Sequence, residues 1–295
     1  MIRYFKPATD ENAYIYSCDN VRVEFVLNKA DESAIQRVIE QLCDPFRGHH
    51  DVVVYPPRLN DFTWRNMFTL KYDSDASCTV GIGWNGIERD DMFKGFVDFN
   101  PNKVAHYASF FEDLAVLKCA TRPLGWIIKR VDIAVDIHTP REKVFLSKDH
   151  RKYESSVLSL SNRTEYLGVR NSVGRVKIYN KSIESSLGYP LTRIEVTCEP
   201  SVESFFASAP SVYDITKATE QQIKFEHKLT DTDAVILNLV FHAMVNGDDY
   251  GMLQFRSLGR KKREKLEEFL FPESSLVVFD KLAVGSVIAE VSRAF

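Results

Sequence analysis

Three short segments near the middle of the chain alternate apolar and polar residues with a period of two. They span residues 129–137, 175–181 and 193–197. Successive side chains of a β-strand point to opposite faces, so this period predicts three strands that each bury one face. If the three strands lie in one sheet, its outer surface carries two aspartates, a glutamate, a tyrosine and several cations.

The chain before these strands predicts further strands interrupted by helices. A strand pair with its turn at residues 19–20 is predicted over 13–28, and several short strands over 65–99. Apolar residues at helical spacing predict helices over 31–43 and 103–120. This order is typical of an α+β fold in which an antiparallel sheet carries helices on one face.

The pattern changes after about residue 214, where helical spacing dominates. The segments 223–227, 232–245 and 260–270 all have it. We therefore predict a sheet-based domain over 1–212 and a mostly helical region over 213–295.

Composition is that of an ordinary globular protein, with 44% apolar and 27% charged residues among 295. No apolar run is long enough to span a bilayer, and the first residues lack the apolar core of a secretory signal. The five cysteines are scattered without metal-ligand spacing, which favours free thiols in a reducing compartment. We expect a cytoplasmic protein without membrane partners.

The formal net charge of -3 argues against indiscriminate binding to nucleic acids. Local basic patches nevertheless permit a specific nucleic-acid interface. One patch surrounds Tyr179, and a second precedes and enters the predicted helix at 260–270. The first contains Arg163, Arg170, Arg175, Lys177 and Lys181, and the second contains Arg256, Arg260, Lys261, Lys262, Arg263 and Lys265.

The carboxylates of the three strands are candidate ligands for Mg²⁺ or Mn²⁺. Asp132 and Asp136 lie four residues apart, roughly 13 Å along a strand, so one ion cannot easily bridge both. Solvated acids on an exposed edge are the alternative, although aspartate is depleted in strands. Glu195 has the same two interpretations, and Arg193 beside it is a possible cross-strand ion-pair partner.

Two tyrosines are candidate covalent nucleophiles. Tyr179 has Lys177 and Lys181 two residues to either side, and we expect these cations to lower its pKa and to bind a scissile phosphate. Tyr166 lies thirteen residues earlier on a predicted hairpin, and the residues alone leave both tyrosines open. The chain has no His-apolar-His pair, no phosphate-binding Gly-Lys-Ser/Thr loop and no Gly-x-Ser-x-Gly motif.

The strings TEYLGVRNS at 164–172 and VKIYNKSIE at 176–184 resemble the active-site motif of the replication initiators of small staphylococcal rolling-circle plasmids. That family includes related conjugative-element relaxases and phage initiators. Three further blocks agree in order and spacing, and a weaker match covers 253–270. The three blocks are DFNPNK at 98–103, RVDIAVD at 130–136 and LTRIEV at 191–196.

The resemblance implies a nicking and closing domain with a nuclease core, which uses Tyr179 as the nucleophile and not Tyr166. It implies a divalent metal, Mg²⁺ or Mn²⁺, at Asp132 and Glu195, with Asp136 as a further candidate ligand. Lys177 stands where the family often has arginine, which keeps the charge but loses the planar fork. The expected catalytic set is completed by Lys181 and Arg193.

The expected nucleic-acid partner is origin DNA, both double-stranded and as a single strand or hairpin. By resemblance, the expected protein partners are a host helicase and a second copy of this chain in a homodimer. The helical region is expected to recognise the origin. Two alternative functions to replication initiation stay open: a relaxase that nicks a transfer origin, and a non-catalytic DNA-binding regulator with a degenerate site. A metal-dependent hydrolase that uses water is a third. The expected DNA-binding residues are Arg170, Arg175, Arg256, Arg260, Lys261, Lys262 and Arg263.

Overall fold

The computed structural model describes most of the chain. The described residues are 14–28, 32–42, 51–55, 66–82, 92–120, 125–159, 161–214, 216, 229–246, 254–271 and 273–294. The strands are β1 Ile15–Asn28, β2 Val52–Tyr55, β3 Asn66–Lys71, β4 Ser77–Ile82, β5 Met92–Phe99, β6 Ile127–Ile137, β7 Val144–Leu146, β8 Tyr153–Val157, β9 Arg163–Leu167, β10 Val176–Asn180, β11 Thr192–Cys198 and β12 Val212–Asp214. The helices are α1 Glu32–Leu42, α2 Pro101–Val104, α3 Ala108–Ala120, α4 Lys181–Glu184, α5 Val202–Ser208, α6 Asp231–Asn246, α7 Arg260–Leu270 and α8 Lys281–Ala294.

Ten of the described strands form one sheet in the order β2-β3-β4-β5-β1-β6-β11-β10-β9-β8. Every pairing in this sheet is antiparallel. The α+β class and the antiparallel sheet predicted from the sequence are therefore confirmed. The three patterned strands lie side by side near the centre as β6, β11 and β10.

One face of the sheet is covered by helices. Ile133 of β6 and Ile194 of β11 join a single buried cluster with Phe110 of α3, Phe205 of α5 and Val287 of α8. Burying each such side chain contributes about 1.5–3 kcal/mol, so this layer fixes the sheet on its helices. Residues that alternate with these apolar positions point away from the core, and the polar side chains of β6, β11 and β10 therefore share the opposite face.

The turn predicted at residues 19–20 is wrong. β1 continues through these residues and pairs with β5 on one side and β6 on the other. Cys18 lies opposite Ile133 and Asn20 lies opposite Asp132, so Asp19 is an extra residue in a β-bulge. Asp and Asn favour turns because they tolerate unusual backbone conformations. The same tolerance suits a β-bulge, which redirects one side chain without ending the strand.

The C-terminal region is helical, as predicted, but it is not packed as one unit. Leu237 of α6 and Leu266 of α7 bury against Phe145 of β7 and Phe255 in a second cluster. The last helix, α8, packs into the cluster under the large sheet instead. The predicted helix at 223–227 lies outside the described residues, and the boundary near 212 stays a prediction.

Within the described part of the chain, no helix is both long and apolar enough to cross a bilayer. The four cysteines that the structure describes are free thiols, as expected.

Candidate functional site

The candidate site is built on the register between β10, β11 and β6. Lys177 lies opposite Glu195, and Tyr179 lies opposite Arg193. Arg193 in turn lies opposite Asp136. The three strands therefore lie in one sheet and share one polar face, which is the condition that the sequence pattern left open.

The hydroxyl of Tyr179 donates a 2.6 Å hydrogen bond to Oε1 of Glu195. Nζ of Lys177 lies 3.5 Å from Oε2 of the same carboxylate and 3.8 Å from the centre of the Tyr179 ring. Tyr179 is only 5% exposed. The three side chains therefore form a compact unit in which a phenol, a carboxylate and an ammonium touch one another.

The pKa values in this unit differ from the expectation. Burial raises the pKa of Tyr179, and the nearby Glu195 charge raises it further. The expected lowering of the Tyr179 pKa by the two lysines is therefore wrong. Burial also raises the pKa of Glu195 to about 7, against the opposing charge of Lys177. Glu195 thus titrates near neutrality and can accept a proton from the phenol.

Arg193 and Asp136 form a buried ion pair. The Nε and NH2 groups of Arg193 donate to the two carboxylate oxygens of Asp136 at 2.6 and 2.7 Å. NH1 of Arg193 also donates to Oδ1 of Asp19 at 3.0 Å. Arg193 and Asp136 are 3% and 2% exposed, and two hydrogen bonds commit them to each other rather than to a substrate.

This pair corrects two predictions. Asp136 uses both oxygens on Arg193 and is not free to bind a metal. Arg193 positions the neighbouring strands rather than facing the reaction, because opposite charges directly across an antiparallel pair bind each other first. Asp19 joins the site although sequence reasoning missed it. No signal in the sequence distinguishes its bulge from a turn.

Lys181 contributes less than its spacing suggested. It begins α4 and forms an ion pair with Glu184. Its Nζ lies 5.9 Å from the Tyr179 ring centre, compared with 3.8 Å for Lys177. Because β10 ends at Asn180, Lys181 leaves the strand face on which strict alternation would have placed it.

A cavity of about 500 Å³ opens beside the Tyr179–Glu195 unit. Asp132 contributes to its wall, and its buried Oδ1 has no hydrogen-bond partner. Burial raises the pKa of Asp132, and a hydrogen bond from Thr197 opposes that effect. The cavity is lined by Arg130, Asp132, Glu154, Tyr166, Arg170, Asn171, Arg175, Lys177, Glu195 and Thr197.

The donors in the cavity fit a hard divalent cation. Mg²⁺ is usually held by one or two carboxylates together with water and substrate phosphates. Asp132 offers an unpartnered oxygen and Glu195 lines the same cavity. Among the residues that the structure describes, no group of three or more His, Cys, Asp or Glu side chains forms a complete metal site. The remaining ligands would have to come from water and the substrate.

The residues predicted to bind DNA fall into two groups. Arg170 and Arg175 line the cavity. Arg260 and Lys261 are exposed on α7, where Arg260 pairs with Glu264 at 2.7 Å. Lys262 is half-buried, 3.4 Å from Asp233. These five positions remain accessible, and their contact with DNA stays a prediction.

Arg256 and Arg263 are committed to buried ion pairs inside the protein, which corrects the prediction that both contact DNA. Arg256 is 5% exposed and forms an ion pair with the fully buried Glu165. Arg263 is also 5% exposed and lies 3.2 Å from Glu267. Both arginines point into the protein, where each pairs with a buried carboxylate. A run of basic residues in the sequence does not show which of them form such tertiary pairs.

No family model matches this sequence, and no curated protein does. Among solved structures, a rolling circle replication initiator protein from Geobacillus stearothermophilus aligns with 62% of this chain and 74% of its own. The aligned residues are 11% identical and the TM-score is 0.34. A similarity this distant transfers neither a fold nor the role of any residue.

Proposed function

We propose that this protein is a rolling-circle replication initiator that nicks one strand of origin DNA through Tyr179. The observation that carries the proposal is the 2.6 Å hydrogen bond from Tyr179 to Glu195, beside a cavity whose wall contains Lys177 and three arginines. A buried phenol bonded to a carboxylate that titrates near neutrality is a nucleophile with an adjacent base. The motif resemblance supplies the biological setting, the replication origin.

In the proposed reaction, the Tyr179 oxygen attacks the phosphorus and its proton passes to Glu195. The bond from phosphorus to the 3′ oxygen breaks, and that oxygen takes a proton from water. The products are a 5′-phosphotyrosine and a free 3′-OH, which can prime a polymerase. The phosphotyrosine keeps the bond energy needed to close the strand later without ATP.

The residues around Tyr179 offset charge on the phosphate and hold the strands of the site in place. Nζ of Lys177 lies near both the phenol and the carboxylate, where it offsets negative charge on the phosphate. Asp132 and the second oxygen of Glu195 would hold Mg²⁺ or Mn²⁺, which polarises the scissile phosphate when bound. Arg193, fixed by Asp136, keeps β11 and β6 in register beside Tyr179.

The proposed substrate is single-stranded or extruded hairpin DNA. Tyr179 is only 5% exposed, so neighbouring side chains must shift before any phosphate reaches its hydroxyl, and a phosphate inside an intact duplex cannot come that close without local melting. Recognition of the origin duplex is assigned to the accessible basic residues of α7. A host helicase and a homodimer remain predictions of the resemblance.

A cleavage assay on supercoiled DNA that carries the native origin tests the proposal. With Mn²⁺ or Mg²⁺, the wild type should give nicked circles and a protein–DNA adduct on a denaturing gel. Tyr179→Phe should give neither, whereas Tyr189→Phe, a half-exposed control elsewhere on the surface, should behave as wild type. Nicking by Tyr179→Phe would contradict the proposal and point to water as the nucleophile. Origin binding without nicking by the wild type would indicate a regulator.

A further inference from the structure

The cavity contains an aromatic side chain that the proposed reaction does not use. Tyr166 of β9 lies directly opposite Lys177 of β10, on the same face as Glu195. Of the two tyrosines, Tyr166 lines the cavity. Its ring is half-buried and accessible from the same space as Asp132 and Glu195.

Arg175 lies over this ring, with its guanidinium carbon 4.6 Å from the Tyr166 ring centre. A planar cation and an aromatic ring together form the kind of surface on which a nucleobase stacks. Both side chains come from the β9–β10 hairpin, and both belong to the cavity wall. Both side chains can therefore contact a ligand bound in the cavity.

The loop that carries Arg175 is held in place. Gly168 and Gly174 both have φ of 86°, and a Cβ on Gly168 would lie 2.9 Å from the carbonyl oxygen of Gly174. The Gly174 amide donates to the Thr197 carbonyl at 2.8 Å. NH1 of Arg130 donates to the Asn171 carbonyl at 3.0 Å. A rigid rim of this kind binds a ligand with little ordering cost.

Charge and size indicate what the cavity accepts. Its volume of about 500 Å³ lies within the range of roughly 300–1,000 Å³ of small-molecule sites. Its unpartnered Asp132 oxygen is a further sign that a ligand or ion completes the site. Four basic side chains outnumber three acidic ones in its wall: Arg130, Arg170, Arg175 and Lys177 against Asp132, Glu154 and Glu195.

We propose that Tyr166 and Arg175 form a stacking subsite for one base of single-stranded DNA, next to the scissile phosphate. The inference rests on the proposed function and specifies the form of its substrate. The base stacks against the pair formed by Tyr166 and Arg175 while Lys177 and Arg170 contact the neighbouring phosphates. Because only an unpaired base exposes a free face, the subsite selects single-stranded DNA with little preference for sequence.

Fluorescence anisotropy with two labelled probes tests this subsite. One probe is a short oligothymidylate and the other is an abasic oligomer of the same length, which keeps every phosphate but has no base. The variants are Tyr166→Ala, Tyr166→Phe and Arg175→Lys, with Tyr189→Ala as the matched control for loss of an exposed tyrosine. Thermal unfolding of each variant identifies any that fail to fold.

We expect the wild type to bind the thymidylate more tightly than the abasic probe. Tyr166→Ala should weaken thymidylate binding roughly 5- to 150-fold and leave abasic binding unchanged. Tyr166→Phe and Tyr189→Ala should match the wild type, and Arg175→Lys should lose part of the preference for bases. A general structural defect would weaken both probes equally, so the difference between them isolates stacking.

Equal affinity of Tyr166→Ala and wild type for the thymidylate would overturn the inference. Loss of covalent adduct in Tyr166→Phe would also overturn it, because Tyr166 would then be the nucleophile. The two proposals fail separately: Tyr179→Phe should retain the base preference while forming no adduct. A wild type that shows the preference but never nicks would remove the proposed function and leave the subsite.

Discussion

The Tyr179 hydroxyl lies 2.6 Å from one oxygen of Glu195, and the other oxygen of Glu195 lies 3.5 Å from Nζ of Lys177. The carboxylate therefore stands between the group that gives a proton and the group that stabilises the resulting charge. Because Glu195 is buried, its carboxylate is a stronger base than that of an exposed glutamate, but the ionised form is costly for the fold.

Glu195→Gln should separate activity from stability. The amide keeps the shape of the side chain but cannot accept the phenol proton, so nicking should fall about 10²- to 10⁴-fold. Removing a buried negative charge should raise the free energy of unfolding at about pH 8. Single-turnover nicking and urea denaturation measure the two effects. Glu199→Gln, an exposed neighbour on the same segment, should change neither.

The pH dependence of nicking should follow the ionisation of the Glu195 carboxyl group. Its pKa is raised from 4.5 to about 7, so the carboxylate is protonated and inactive as a base at lower pH. Nicking at limiting Mn²⁺ should therefore rise as the pH increases through about 7, and saturating Mn²⁺ should move this rise to lower pH, because a bound cation favours the ionised carboxylate. The stability linked to the raised pKa is fully present below 4.5 and is lost as the pH rises through about 7. A nicking rate at limiting Mn²⁺ that stays flat across this window would exclude Glu195 as the base.

Asp132 and Asp136 should differ in their effect on metal dependence. Asp132→Asn removes an unpartnered oxygen from the cavity and should raise the Mn²⁺ concentration for half-maximal nicking by about tenfold or more. Asp136→Asn should leave that concentration unchanged, because both oxygens of Asp136 bind Arg193. A Mn²⁺ titration of each variant decides this. A larger shift for Asp136→Asn would restore it as a ligand.

A buried ionic cluster should carry much of the stability around β9. Glu165 is fully buried and pairs with Arg141, Arg163 and Arg256, and Tyr153 donates to it at 2.7 Å. Glu165→Ala leaves buried arginines without a counter-charge, which should cost about 3–5 kcal/mol in unfolding free energy. Urea denaturation measures the loss. Glu264→Gln, which breaks an exposed pair on α7, should cause no measurable change.

The same cluster should make the fold acid-sensitive. Burial alone would raise the pKa of Glu165, but the charges of Arg256, Arg163 and Arg141 outweigh it and lower the pKa to about 2. A lowered pKa stabilises the fold above the ordinary value of 4.5, and this contribution is lost as the pH falls through about 2. The wild type should lose stability in this window, whereas Glu165→Ala should lose less.

The sequence predicts the parts of this site that depend on local periodicity. Alternation along β6, β10 and β11 identifies the strands and places Lys177, Tyr179 and Glu195 on one face. The partners of long side chains depend on tertiary pairing instead. The pairing of Asp136 with Arg193, and of Arg256 with a glutamate 91 residues away, follows from strand order and helix packing. Local sequence patterns predict neither of these two ion pairs.

Peptide mapping of the covalent adduct tests the central claim most directly. After nicking, nuclease trimming and digestion with trypsin, the two candidate tyrosines fall in different peptides, 178–181 and 164–170. Mass spectrometry should find the nucleotide on Tyr179, in the first peptide. A nucleotide on Tyr166, in the second peptide, would contradict both the assignment of the nucleophile and the stacking role of that ring.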